Sequence, residues 1–522
     1  MKSYYNKILC GLSILLVFFG CTELEVMNQN DPDKSDALQS SSDVESLISG
    51  SFRTYWFGTE HWTPLLGLSV VADEATSSWG NAAMKDLSSE PRTTFDNATS
   101  YMDIAHINTP WYELYSAISS VNDGLSVILD SNNPVAIGTD GADTKRAVAF
   151  GRFIQGISYC YLGAFFDQAY IVDENTDVET TTLNLYPYSD VMDAGINFLT
   201  EAIAVIDTNS FDIPDTWING VTLNQDDLKR LCHSYIARYT ACVARSPEER
   251  ATVDWSAVIT HINSAGWTSS DQNFGAWGDG YVSWYSDGRW VNANDGWQRA
   301  DYKTIGLTDT SGGYQNWLDT DVADRVEFDL YATDRRITGA TAHPDSAGSY
   351  FSYAGPSYFR SDRGTYHFSK YYHTRYTDYN ATETEFMPIL TFAEMRLLEA
   401  EAEYRLGNTS TASVIVNETR VTNGDLAALD GSESDFFKWL KYEKKIETFL
   451  MASGLAFFDR RGWTGDLGTG QSTDLVQGTP VHFPVPAQDL ELGGIANYSH
   501  GGITGDFAPR IRSHHPSHLR KK

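Results

Sequence analysis

The chain has 522 residues, with 38 basic against 69 acidic side chains and a formal charge of −31 at pH 7. A field of that sign repels a phosphate backbone and an anionic lipid surface, which excludes nucleic acid and basic-patch membrane binding. Apolar residues make up 42% of the chain, ample for a large core, and the 13% aromatic share leaves it well stocked with Trp and Tyr.

At the N-terminus, Lys2 and Lys7 form a short positive region ahead of an apolar run of thirteen residues, Ile8 to Gly20. That run is too short to cross a bilayer of about 30 Å and has the layout of a secretory signal. It ends in Phe18-Phe19-Gly20-Cys21, a small residue directly before a cysteine, which resembles a bacterial lipobox with Phe18 where Leu is usual. The expectation is a lipoprotein signal peptide over 1–20 and Cys21 as the acylated first residue of the mature chain. Acyl chains contribute about 0.8 kcal/mol per buried CH₂, so several on one residue anchor a protein without a spanning helix. Loss of residues 1–20 removes both lysines and leaves a formal charge of −33. Residues 22–42, polar and ending in Ser40-Ser41-Ser42, read as a flexible tether, so that 21–42 forms anchor plus linker.

Helical periodicity follows. Trp111 to Asp130 is one predicted helix. Thr144 to Phe166 is the next, with Phe150, Ile154, Ile157, Tyr161 and Phe165 on one face. Gly151, Gly156 and Gly163 each cost about 1 kcal/mol relative to Ala there, which is tolerable where a neighbouring helix packs close. Tyr188 to Asp207 and Asp226 to Arg245 complete the series. Their spacing suits a degenerate tetratricopeptide-type repeat over about 43–265, with an irregular bundle as the alternative. Cys232 and Cys242, about 15 Å apart along one helix, cannot pair, and CxxC spacing is absent; the cysteines read as buried free thiols.

From about 266 to 380 the stripes give way to Gly, Asp, Asn, Ser and aromatic residues, a loop-rich region of the kind that carries binding sites. Trp267, Trp277, Trp284, Trp290 and Trp297 fall within 31 residues, interleaved with Gly, Asp and Asn. Flat rings match the C–H faces of sugars, and Asp and Asn supply partners for hydroxyl groups. Trp277, Trp284, Tyr285, Trp290 and Trp297 are therefore candidate ligand contacts, with Trp284-Tyr285 and Trp290 foremost because their neighbours suggest exposed turns. The alternative is a small core under a long loop. A second candidate cluster, Ala72 to Asn81, follows an apolar strand-like run and offers Asp73, Trp79 and Asn81.

A strong helix then returns, with Leu390, Ala393, Leu397, Ala400 and Tyr404 as its stripe and Gly407 as its stop. Further helices are predicted near Ala412–Arg420 and Phe436–Met451, making a second helical stretch over about 387–456. The segment 457–522 reads as loops, with His482-Phe483-Pro484-Val485-Pro486 as a rigid extended piece.

The stretch Met387-Pro388-Ile389-Leu390-Thr391-Phe392-Ala393-Glu394-Met395-Arg396-Leu397-Leu398-Glu399-Ala400-Glu401-Ala402 resembles one that SusD/RagB proteins carry before their last helices. Asn417, Thr419 and Arg420, then Glu443-Lys444-Lys445-Ile446-Glu447, Gly454 to Arg461, and Phe483-Pro484-Val485-Pro486 resemble that family's later motifs in order. Asp334-Arg335-Arg336 is a weaker echo of a mid-chain Asp-Pro-Arg. The resemblance implies an all-α dominated, tetratricopeptide-like SusD fold as a single domain over 43–522, with an irregular binding region. It further implies a lipid-anchored outer-membrane protein that binds oligomeric nutrient, most often oligosaccharide, and delivers it to a SusC-like TonB-dependent barrel. Proteins of this family bind without chemistry; no cofactor is expected, and calcium in an Asp-rich loop stays open. Family members with known glycan sites place binding residues in a loop comparable to Asp73–Asn81.

Other readings stay open on sequence alone. A glycosidase needs two carboxyls at set separations, which sequence does not show, and no GxSxG elbow, HExxH helix or phosphate-binding loop is present. A helical-repeat scaffold could bind protein, and the ligand could be a peptide. His514-His515-Pro516-Ser517-His518 reads as an incidental tail rather than a chelator.

Overall fold

The computed structural model describes residues 38–294, 296–356, 368–466 and 472–502. The signal segment, Cys21, most of the tether and the His514–His518 motif lie outside the described residues.

The serine run expected as tether instead opens a helix. The Ser40 hydroxyl accepts from the Asp43 amide, and α1 spans Ser41–Glu60. Polar composition does not distinguish a tether from an N-cap, where Ser is among the preferred residues. The strand-like run before Ala72 is also a helix, α2 (Trp62–Val71), apolar all round and correspondingly buried after its first residue. The helices α3 (Ala105–Ile128), α4 (Thr144–Phe165), α5 (Tyr188–Ile206), α6 (Gln225–Cys242) and α7 (Trp255–Ala265) follow. Here α1 packs on α3, and α3 through α7 each pack on the next, a helical repeat of tetratricopeptide type. The α4 glycines do what their cost suggests. A Cβ on Gly163 would stand 2.9 Å from the Met192 amide nitrogen, and one on Gly195 would stand 2.7 Å from that of Cys160. The backbones of α4 and α5 therefore touch.

Short elements punctuate the region read as loop. Strand β1 (Ala75–Thr76) pairs antiparallel with β3 (Arg299–Ala300), and β2 (Phe274–Trp277) pairs antiparallel with β4 (Phe386–Leu390). At Gly275 a Cβ would lie 1.9 Å from the Met387 carbonyl oxygen, so this pairing admits no side chain there. Between these strands lies the short α8 (Asp287–Asn292). Leu390 ends β4, and α9 (Phe392–Arg405) begins after Thr391, whose hydroxyl accepts from the Glu394 amide. Gly407 follows it at φ +87°, the left-handed stop expected.

Then come α10 (Thr409–Arg420), α11 (Phe436–Glu447, four residues shorter than expected) and α12 (Leu455–Arg460). Leu397, Ala412, Val416, Phe436 and Leu440 of α9, α10 and α11 form a second, smaller core. A helix at Ala487–Leu492 interrupts the segment read as loop. Phe483 is buried, stacks on Phe165 at 4.7 Å, and donates its amide to the Phe165 carbonyl.

The charged motif residues are inside the fold. Arg336 binds Asp334 at 2.6 Å and both Glu443 and Glu447 at 2.8 Å. Arg250 binds Glu401 at 2.7 Å and Asp459 at 2.9 Å, while Lys444 reaches Asp459 at 2.7 Å. Arg238 meets Glu394 at 2.6 Å, and Lys445 meets Asp474 at 2.5 Å. Buried charges persist only when paired and hydrogen-bonded, so these residues join helices to one another. Cys160, Cys232 and Cys242 are buried free thiols. Among the described residues no helix is long and apolar enough to cross a membrane.

Candidate functional site

Arg53, Phe57 and His61 recur every four residues and so share one face at the end of α1. Glu113 of α3 stands on one side of this stripe, and the loop residues Val282, Ser283 and Tyr285 stand on another. With Thr54 they line an open groove of about 360 Å³. That falls within the range of small-ligand sites, about 300–1,000 Å³.

Rings border the groove in sequence. Tyr285 stacks on His61 at 3.8 Å and Tyr281 stacks on Tyr285 at 4.1 Å, while Phe57 meets His61 edge-on at 4.3 Å. Tyr281 is 43% exposed and Phe57 40%. The loop is held by Asp279, whose carboxylate accepts from the amides of Val282, Ser283 and Trp284 at 3.0 Å, and by a hydrogen bond from the Tyr281 hydroxyl to Asp287. Burial brings the His61 imidazole down to about 4, partly opposed by Asp279, so the ring is neutral at neutral pH. Burial likewise raises the Asp287 carboxyl above its ordinary range.

The residue after His61 begins a second group. Trp62 meets Trp297 edge-on at 5.8 Å, Trp79 stacks on Trp297 at 5.0 Å, and Trp290 meets it edge-on at 6.4 Å. All four indoles are partly exposed. The Trp79 indole N–H donates to the Gly296 carbonyl, and the Ser77 hydroxyl donates to that of Trp297. The two ring groups thus meet at the consecutive residues His61 and Trp62.

Of the residues expected from sequence, Tyr285 lines the groove, while Trp79, Trp290 and Trp297 come together in the neighbouring indole group, outside the groove lining. Trp284, placed foremost beside Tyr285, does not: it is 8% exposed and packs on Phe52 and Trp56 with centroids 6.1 and 5.9 Å away. Asp73 is buried as well, at 2.9 Å from Arg92 and 3.2 Å from Lys303, and these cations hold its carboxyl below the ordinary range against the cost of burial. Its role is to hold the fold. Asn81 is half-buried, and its carbonyl accepts from the Met84 amide. Trp277 is 43% exposed but stands at the end of β2, leaning on Phe386 at 5.6 Å and outside the groove lining.

Sequence reasoning passed over Arg53, Phe57, His61, Trp62, Glu113 and Tyr281. The i, i+4, i+8 spacing of Arg53, Phe57 and His61 was the available signal. A second hollow, of about 220 Å³, lies among Lys303, Tyr314, Lys445 and Asp474 next to the interior ion pairs, away from these rings. Among the described residues no cluster of three or more His, Cys, Asp or Glu is placed to hold a metal.

Residues 284–493 match the family model described as the SusD family. No curated protein matches the chain. Solved structures of the SusD superfamily do match it. One from Bacteroides fragilis, a SusD-like protein, has a TM-score of 0.58 at 14% identity over 89% of this chain and 98% of its own. One from Parabacteroides distasonis gives 0.56 at 13% identity over 87% and 97%. One from Bacteroides vulgatus gives 0.54 at 15% identity over 88% and 97%. At such identities the likeness establishes the fold, which is the mainly helical, tetratricopeptide-like one described above. The chain therefore carries a SusD-family segment over residues 284–493 and shares the SusD-like fold throughout its described residues.

Proposed function

We propose that the protein is a lipid-anchored, surface-facing outer-membrane protein that captures oligosaccharide and delivers it to a SusC-like TonB-dependent barrel. The observation that carries this reading is the set of rings Phe57, His61, Tyr281 and Tyr285 at an open groove, with a separate group of part-exposed indoles starting at the next residue, Trp62. Rings held by packing present flat apolar faces with little conformational entropy left to lose on binding. Tyr285, Trp79, Trp290 and Trp297 are the proposed stacking residues, joined by Phe57, Tyr281 and Trp62. Asn81 is a proposed polar contact beside Trp79. Trp277, four residues before Tyr281, is a proposed outlying contact for a longer chain.

Binding rather than hydrolysis is favoured by the carboxyls. Glu113 alone supplies one among the described residues lining the groove, whereas glycoside hydrolysis ordinarily uses a facing pair. Asp279 is committed to backbone amides and Asp287 to Tyr281. Anchoring through Cys21 and transfer to a barrel partner rest on the lipobox and on the likeness to the SusD family.

Calorimetry with protein lacking residues 1–21, titrated with soluble polysaccharides and with peptides, tests the reading. Saturable polysaccharide binding that Tyr285→Ala weakens is expected. Binding confined to peptides, or polysaccharide binding untouched by Tyr285→Ala, would overturn it.

A further inference from the structure

The guanidinium of every arginine among the described residues other than Arg53 donates at least one hydrogen bond to a carboxylate, carbonyl or other polar group. The Arg53 guanidinium makes no such bond with any described residue, although the chain has almost twice as many acids as bases. It is exposed, and it lines the aromatic groove one helical turn from Phe57. An uncommitted guanidinium presents a planar fork of donors suited to two oxygens of one anionic group.

The other charged group in the groove limits how many anions fit. Glu113 lies on the wall, half-buried, its carboxyl without a hydrogen-bond partner among the described residues; burial raises that carboxyl above the ordinary range. His61 is neutral at neutral pH and adds no second cation. Val282, Ser283, Thr54, Phe57 and Tyr285, the remaining lining, carry no charge. The field of the whole protein, at −31, further opposes a densely charged polymer.

Resting on the glycan-binding reading of this groove, we propose that it selects a sparsely acidic oligosaccharide. One carboxylate or sulfate of the ligand sits on Arg53 while adjoining sugar rings stack on Phe57 and Tyr285. Glu113 takes hydroxyl groups and turns away a second anion. Neutral glycans would bind by stacking alone, and polyanions would be excluded.

The test is calorimetry on protein lacking residues 1–21 with matched probes. Each neutral oligosaccharide is paired with its counterpart bearing one uronate, and with its counterpart bearing one sulfate; polygalacturonate and dextran sulfate serve as polyanions. The singly acidic member of a pair should bind tightest, and the uronate and sulfate arms distinguish the two sources of the anion. Arg53→Gln should lower its affinity about 10- to 100-fold, the effect of losing a hydrogen bond to a charged group, and leave the neutral member unchanged. Arg53→Lys should restore part of the loss. Equal affinity within all pairs, an equal effect of Arg53→Gln on both members, or preference for the polyanions would overturn the inference while Tyr285→Ala still weakens binding. Tyr285→Ala without effect on any probe, or no probe binding at all, would overturn the groove reading itself. Arg53 is an exposed helical position, so its variants should fold, with circular dichroism as the check.

Discussion

Trp284 and Tyr285 are adjacent in sequence and should respond oppositely to the same substitution. Trp284 packs on Phe52 and Trp56 with 8% of its surface exposed. A buried indole removes about 200 Å² from water, which at about 25 cal/mol per Å² is about 5 kcal/mol. Alanine keeps part of that area and the site collapses a little, so Trp284→Ala should cost about 3–5 kcal/mol of stability. Against a total of about 5–15 kcal/mol for a folded protein, that is a large fall in the urea midpoint followed by circular dichroism. Tyr285→Ala gives up the ring contacts with His61 and Tyr281, worth about 1 kcal/mol, and leaves the fold intact. Its cost should fall on binding, about 1–2 kcal/mol or a factor of about 5–30 in Kd by calorimetry. A Trp284→Ala protein as stable as its parent, or a Tyr285→Ala protein that unfolds early yet binds oligosaccharide normally, would refute the assignment of the two rings.

Burial raises the Glu74 carboxyl from 4.5 to about 7, against the hydrogen bond it accepts from the Leu450 amide. A carboxyl raised on folding contributes stability that is present below about pH 4.5 and lost as pH climbs through about 7. Glu74→Gln keeps an acceptor for that amide and should flatten the decline, gaining on the order of 3 kcal/mol over the parent at pH 8. Identical stability–pH curves for the two proteins would contradict the sealed position of Glu74. Arg250→Ala leaves Glu401 buried without its principal counter-charge and should lower stability by about 3–5 kcal/mol, read from the thermal transition. Gly275→Ala would press a methyl group into the Met387 carbonyl and should destabilise the β2–β4 pair, seen as faster amide exchange in residues 274–277. Cys21→Ser should move the protein from the detergent phase to the aqueous phase on partition; retention with the detergent would argue against an acyl anchor.

The long amphipathic helices were legible because an apolar residue every three or four positions lines up on one face of a helix and fits no strand period. Tyr188 to Asp207 was expected and Tyr188–Ile206 is found. Where the stripe vanishes, so does the signal. Trp62–Val71 is apolar on every side, and periodicity does not separate such a run from a buried strand. At the site, composition drew attention to the tryptophans of 267–297 but did not say which of two adjacent rings turns outward. That is decided by Phe52 and Trp56, more than 200 residues earlier, against which Trp284 packs. For the same reason Phe57, His61 and Trp62 went unremarked: their significance comes from Tyr285 and Trp297, which only folding brings beside them. The acidic cluster at Asp73 misled because an acid meant for a ligand and an acid meant for Arg92 and Lys303 look alike in sequence.

The interior polar contacts reach far along the chain. The Ser453 amide donates to Glu60 across 393 positions, and Arg460 donates to the Asp73 carbonyl across 387. Arg250, meanwhile, waits for Asp459. The first helices therefore cannot finish burying their charges until nearly the whole polypeptide has been delivered, a topology that favours slow, late completion over folding in stages from the N-terminus. A chain stopped short of residue 440 would leave Arg336 without Glu443 and Glu447, and Arg250 without Asp459. Such fragments should be cleared by proteolysis rather than persist as shortened receptors.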